Sequence, residues 1–232
     1  MFPQPNVINR ATTAVDEGLR QHMLRVYNTM ILGMLFTGIV AWYVSSTPEI
    51  LQQVAGFSMP LGLLIFGTSI AFGFLINKMS VTVATAYFYA FAAAMGAIVS
   101  LYMATYTGES VARAFFSAAA LFGGMSLYGY TTKKNLEGWA SFLSVGVVAA
   151  IIIIPLNYLL FKSTAVMMAM NAVIVFLSAG ITAYSTQDIR ARYYESNGHE
   201  LNSKMAIAGA FQLYVNFINM FLALLRLFGD RR

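Results

Sequence analysis

The chain has 232 residues, 59% of them hydrophobic and only 10% charged, with a formal net charge of +5 and no cysteine. A soluble domain carries about 25% charged residues, so a water-facing surface would be left uncovered here and lipid is the expected solvent. The lack of cysteine excludes disulfides and thiolate metal sites. A basic balance can suit nucleic acid, but these positive residues stand in short loops between apolar runs, where membrane topology explains them better.

The first 22 residues, MFPQPNVINRATTAVDEGLRQH, are polar and hold no apolar core with a cleavage site, so no signal peptide is read. They are expected to form a cytoplasmic N-terminal tail, mobile or interfacial, with residues 23–232 as a single transmembrane domain. A bilayer-crossing helix needs about 20 apolar residues. Seven stretches qualify: Val26–Thr47, Met59–Asn77, Val81–Tyr106, Ala114–Tyr130, Gly138–Leu160, Thr164–Gln187 and Met205–Leu225. Barrel strands would alternate over about ten residues, and these runs do not, so the expected fold is an all-α bundle of seven transmembrane helices.

Within these spans several small residues stand four apart, at Ser69/Gly73 and Ala92/Gly96, and the pair Gly123-Gly124 reads as a place of close packing. Pro155 is expected to kink the fifth span and free a carbonyl near Ile151. Trp42, Tyr43, Tyr102, Tyr106, Tyr128, Tyr130 and Trp139 fall near span ends, as interfacial anchors do.

With the N-terminus in the cytoplasm, nine basic residues fall on that side: Arg10, Arg20, Arg25, Lys78, Lys133, Lys134, Arg190, Arg192 and Lys204. Five fall on the other: Arg113, Lys162, Arg226, Arg231 and Arg232. This excess supports a cytoplasmic N-terminus. Three of the five belong to the tail RLFGDRR, so the seventh span either crosses and leaves its tail outside or re-enters; crossing is the reading adopted.

Polar residues inside a membrane are costly, so their placement carries weight. Asn171, Ser178, Thr182 and Ser185 share one face of the sixth span, and Asp188 continues the stripe. Gln212, Asn216 and Asn219 form a second stripe on the seventh. Two readings stay open: interhelical hydrogen bonds worth about 1 kcal/mol per contact, or a shared hydrated path. Asp188 is also spaced to pair with Arg192, and Glu109 with Arg113, at i,i+4.

Enzyme chemistry finds no support. The two histidines, His22 and His199, lie in polar segments away from any nucleophile, and there is no H-E-x-x-H motif or Gly-rich phosphate loop. The expectation is a protein that is not an enzyme and carries no cofactor or bound metal.

Three stretches carry a family resemblance: SLYGYTTKKNL (126–136), TAYSTQDI (182–189) and LYVNFINMFLALLRLFG (213–229). Over nearly its whole length the chain resembles the Bax inhibitor-1 family, also called the transmembrane Bax inhibitor motif family, and its bacterial branch most closely. The resemblance implies seven helices with the seventh at the centre, a calcium leak for some members and interaction with other membrane proteins for others. In the leak proteins two aspartates on the sixth and seventh helices share a proton and make the pore pH-sensitive. Close carboxylates cannot both ionise cheaply, so such a pair titrates with one raised value.

This chain departs from that pattern at both positions. It has Tyr184-Ser185 where the family usually reads tyrosine-aspartate, and Asn216 where the second aspartate is usual. Ser185 and Asn216 are able to hydrogen-bond each other but not to share a titrating proton. The expected function is a cation path, Ca2+ being the transported ion, that conducts weakly or without pH dependence. Its candidate lining or gate is Ser185, Asn216, Asp188, Thr182, Ser178, Gln212 and Asn219. The alternative is a non-conducting regulator that binds a membrane protease, a stress-response partner or another membrane protein. A bacterial inner membrane is the expected location, with the lipid bilayer as the constant partner and nucleic acid excluded.

Overall fold

The computed structural model describes residues 5–193 and 198–232. The side chains of Arg10 and His199 lie outside the described residues. In chain order the helices are α1 (Pro5–Ser45), α2 (Pro48–Gly56), α3 (Ser58–Leu75), α4 (Val81–Thr105), α5 (Gly108–Thr131), α6 (Glu137–Leu156), α7 (Thr164–Ala191) and α8 (Gly198–Phe228). Seven of them are long and apolar enough to cross a membrane, which makes the protein an all-α integral membrane bundle. The exception is α2, nine residues with none buried, in a stretch where the sequence indicated no element.

Helix starts follow local chemistry. The hydroxyls of Ser80, Thr107 and Ser163 accept from the backbone N–H of Val83, Ser110 and Val166 and so cap α4, α5 and α7. Pro155 stands near the end of α6, which then passes into a π turn over Asn157–Phe161. Asn157 closes that turn by bonding both the N–H and the carbonyl of Ser163 at 3.1 Å.

The N-terminal segment differs from the tail expected of it. The polar stretch is helical from Pro5 and runs without a break into α1. His22 and Met23 are buried, at 6% and 4% exposure. Tertiary contacts hold this end in place: the His22 and Tyr193 rings are 5.1 Å apart, and Arg25 donates to the Ser203 hydroxyl at 2.7 Å.

α8 forms the axis of the bundle and packs against α1, α4, α5 and α7. In its most apolar window 78% is buried, against 33% for α4 and 11% for α6. Aromatic contacts fix it: Phe211 stacks on Phe72 at 4.2 Å, and Tyr214 meets Phe88 edge to face at 5.5 Å. Toward α5, Phe217 lies against Phe115 and Phe122.

α8 crosses the bundle fully. It starts at the basic end, where Lys78, Lys134 and Arg190 lie, and its tail reaches the α4–α5 loop at the other end. There the Thr107 N–H donates to the Asp230 carbonyl and the Arg232 N–H to the Thr105 carbonyl, both at 3.0 Å. The Arg226 and Arg231 guanidiniums sit over the Tyr102 and Tyr106 rings at 5.0 and 5.9 Å. Tyr106 is therefore buried in this tail contact, whereas Trp42, Tyr43, Tyr128 and Trp139 are exposed as interfacial anchors are.

The small-residue positions divide. A Cβ added at Gly96 would lie 2.8 Å from the Thr37 carbonyl, so Ala92/Gly96 is where α1 and α4 approach closely. Gly73, Gly123 and Gly124 face open space, and the close packing expected of the Gly123-Gly124 pair is absent. Tight approach occurs instead at Gly129, whose added Cβ would press on the Ala183 backbone of α7.

Candidate functional site

Two of the three motif stretches meet at the basic end. The Gln187 side chain donates to the Lys134 carbonyl at 2.8 Å and accepts from the Leu136 N–H at 2.9 Å. Arg190 donates to the Tyr130 carbonyl at 2.7 Å. One turn deeper, Ser126 links Thr186 at 3.1 Å with Tyr27 at 2.5 Å, joining α5, α7 and α1. These bonds tie the end of α7 to α5, to the loop that follows it and to α1.

A cavity of about 600 Å³ opens there between α3, α7 and α8, with His22 of α1 in its wall. Its polar lining includes Tyr184, Asp188, Arg192, Lys204, Gln212 and Asn216. Phe72, Ile76 and Phe211 supply apolar wall. Along α8 the lining runs from Leu201 to Asn216, from the basic end toward the middle of the helix.

Of the seven candidate residues, Asp188, Gln212 and Asn216 line this cavity and the others do not. Asp188 makes the expected i,i+4 pair, 2.8 Å from the Arg192 Nε. That hydrogen bond and charge hold the Arg192 guanidinium above its ordinary value. The parallel pair of Glu109 and Arg113 also forms, at 2.6 Å. Thr182 and Ser178 are buried, and the Thr182 hydroxyl donates to the Ser178 carbonyl at 2.7 Å, a bond within α7 that leaves neither helix bridged. Asn171 is buried as well, and Asn219 is exposed on α8 outside the cavity.

Ser185 and Asn216, able by chemistry to bond each other, do not do so through the Ser185 Oγ or the Asn216 Nδ2. Ser185 is fully buried and Asn216 is 8% exposed, yet the Ser185 Oγ and the Asn216 Nδ2 have no hydrogen-bond partner. The two residues stand on packed neighbouring helices, but Asn216 belongs to the cavity wall and Ser185 does not. The His22 Nε2 is a third buried atom without a partner.

The residues that sequence reasoning passed over are His22, Tyr184 and Lys204. His22 was hidden because its polar surroundings read as tail. In the sequence Lys204 reads as a topological charge, but its side chain is 20% exposed and pairs with Glu200 at 3.0 Å. Among the described residues no three His, Cys, Asp or Glu side chains converge as a metal site.

Fold and site thus define a polytopic membrane protein whose central helix carries one wall of a half-depth polar cavity. Residues 19–232 match the family model described as inhibitor of apoptosis-promoting Bax1. The chain is 36% identical to the inner membrane protein YbhL of Escherichia coli K12, with 93% of this chain and 94% of that one aligned. It is 38% identical to an uncharacterised protein of Caulobacter vibrioides, covering 97% and 94%, and 37% identical to protein RP147 of Rickettsia prowazekii, covering 94% and 92%. The chain belongs to the Bax inhibitor-1 family.

Proposed function

We propose that the protein is a cation leak path of Bax inhibitor type, shut at Asn216 and lacking a carboxylate proton switch. The observation that carries this reading is the cavity itself, which runs from the basic end to Asn216 and stops there. Beyond it α8 is enclosed in the bundle, with Phe217, Ile218 and Met220 buried. Opening requires α7, with its unpartnered Ser185 hydroxyl, and α8 to separate beyond Asn216. No shared proton holds this contact shut, because neither residue titrates.

Calcium prefers several charged oxygens. The described cavity lining offers one carboxylate, Asp188, already paired with Arg192. Conduction is therefore weak and poorly selective. The location proposed is a bacterial inner membrane with the N-terminus cytoplasmic, supported by the basic excess at that end and by the name that the Escherichia coli relative carries.

The test is calcium entry into dye-loaded liposomes from neutral to acid pH, comparing the wild type with Ser185→Asp/Asn216→Asp. A slow, pH-independent leak that becomes pH-dependent in the double variant supports the path. A protein that passes no cation at any pH, in either form, overturns it and leaves the non-conducting regulator as the working reading.

A further inference from the structure

We infer that the same cavity binds an elongated organic anion, with a carboxylate at one end and an acceptor oxygen at the other. The inference rests on the cavity alone and stands whether or not the path conducts.

The volume of about 600 Å³ lies in the range of small-molecule sites, roughly 300–1,000 Å³. Two wall residues that are more than nine-tenths buried carry nitrogens without a partner: the His22 Nε2 and the Asn216 Nδ2. An amide nitrogen only donates, so Asn216 requires an acceptor. A buried donor left unmet costs about 1–3 kcal/mol.

The charges stand at the basic end. Asp188 and Arg192 neutralise each other at 2.8 Å. Lys204 is held at 3.0 Å by Glu200, whose side chain is 72% exposed, while that of Lys204 is 20% exposed and in the cavity wall. An ammonium has three donors, so Lys204 keeps capacity for a ligand. Asn216 lies twelve residues further along α8, about 18 Å at 1.5 Å per residue. Between the two ends run Phe72, Ile76 and Phe211.

Each alternative leaves something unmatched. A cation meets one carboxylate among the described lining residues, Asp188, and Arg192 of the same wall pairs with it, whereas the Glu200 that pairs with Lys204 is exposed and stands outside the lining. A wholly apolar molecule leaves the Asn216 amide donor and the spare Lys204 donors unmet, and the His22 Nε2 without a partner. A carboxylate on Lys204 and His22, an alkyl body on Phe72 and Phe211, and an oxygen accepting from Asn216 match all three.

The test is binding of ω-hydroxydodecanoate to the full chain in neutral-lipid nanodiscs, with protein-free nanodiscs as the partition control. Dodecanoate and dodecanediol each lack one end of the proposed ligand. Saturable binding is expected, with each of these probes weaker by about tenfold, the effect of one lost charged or buried hydrogen bond. Asn216→Leu should abolish the preference for the hydroxyl and keep the preference for the carboxylate. Lys204→Gln should do the reverse, so each variant reports its own folded state through the end it retains. Binding no greater than in protein-free nanodiscs, or three probes bound alike, overturns the proposal. A flux assay that fails while this binding persists refutes the leak reading and not this one.

Discussion

The hydroxyls of Thr37 and Tyr214 lie 2.6 Å apart in the middle of the bundle and join α1 to the central helix. Thr37 also donates to the Ala92 carbonyl of α4 at 3.0 Å, so its one proton is used there and Tyr214 is the donor between the two hydroxyls. The two sides of this bond are not equivalent. Tyr214→Phe removes a donor and leaves Thr37 bonded to α4, at a cost of about 0.5–1 kcal/mol. Thr37→Val strands the fully buried Tyr214 hydroxyl and costs about 1–3 kcal/mol. Unfolding in mild detergent should place Thr37→Val clearly below Tyr214→Phe. Equal losses would mean that the hydroxyl of Tyr214 has another acceptor.

A second comparison concerns two glycines on the same helix, α5. A methyl at Gly129 would stand 2.9 Å from the Ala183 Cα, and backbone cannot move aside as a side chain does. Gly129→Ala should cost about 1–3 kcal/mol or more by forcing α5 from α7. Gly123 has open space around the same position. Gly123→Ala should be neutral or stabilise by up to about 1 kcal/mol through helix propensity. Melting temperatures of the two variants should move in different directions, and a loss at Gly123 as large as at Gly129 would contradict the packing described.

Ser185 gives a third test, and it discriminates between the two readings of the polar stripes. A hydroxyl engaged in an interhelical bond would cost about 1 kcal/mol to remove. Because the Ser185 Oγ has no partner, Ser185→Ala should change stability by less than about 0.5 kcal/mol or raise it. A clear loss on denaturation would show that α7 and α8 are bonded through Ser185 after all.

The fourth prediction concerns the tail. Truncation after Gly229 removes the Asp230 carbonyl that accepts from the Thr107 N–H, and the Asp230 N–H that donates to the Ser110 hydroxyl at 2.9 Å. Deuterium exchange at Thr107 should speed up by about fivefold to tenfold, as expected for a lost bond of about 1 kcal/mol at a helix start. Unchanged protection there would show that the tail does not hold the α4–α5 loop.

The candidate site was legible in part. Spacing alone placed Asp188 beside Arg192 and put Gln212 and Asn216 on one face, because helical periodicity brings residues three and four apart together. It could not tell which faces of α7 meet water. Thr182 and Ser178 share a stripe with Asp188, but the Thr182 hydroxyl is satisfied inside its own helix. Periodicity places a side chain on a face and does not choose its acceptor. His22 and Lys204 enter the cavity wall from α1 and from the start of α8, and no local pattern joins residues so far apart in the chain.

Composition and hydropathy by themselves determined that this chain spans a membrane seven times as helices, since an apolar run of sufficient length has no other stable form in lipid. Composition and hydropathy did not decide which span occupies the centre: the family resemblance implied the seventh, and the tertiary structure places it there. α6 has the highest mean hydropathy and is the least buried of the seven, while α8, with its Gln212, Asn216 and Asn219, is the most buried. In water, apolarity drives a helix inward. In a bilayer the lipid tails are as apolar as leucine, so apolarity does not rank the helices, and the inner position goes to the one whose aromatic side chains pack against α3, α4 and α5 and whose Tyr214 hydroxyl bonds to α1.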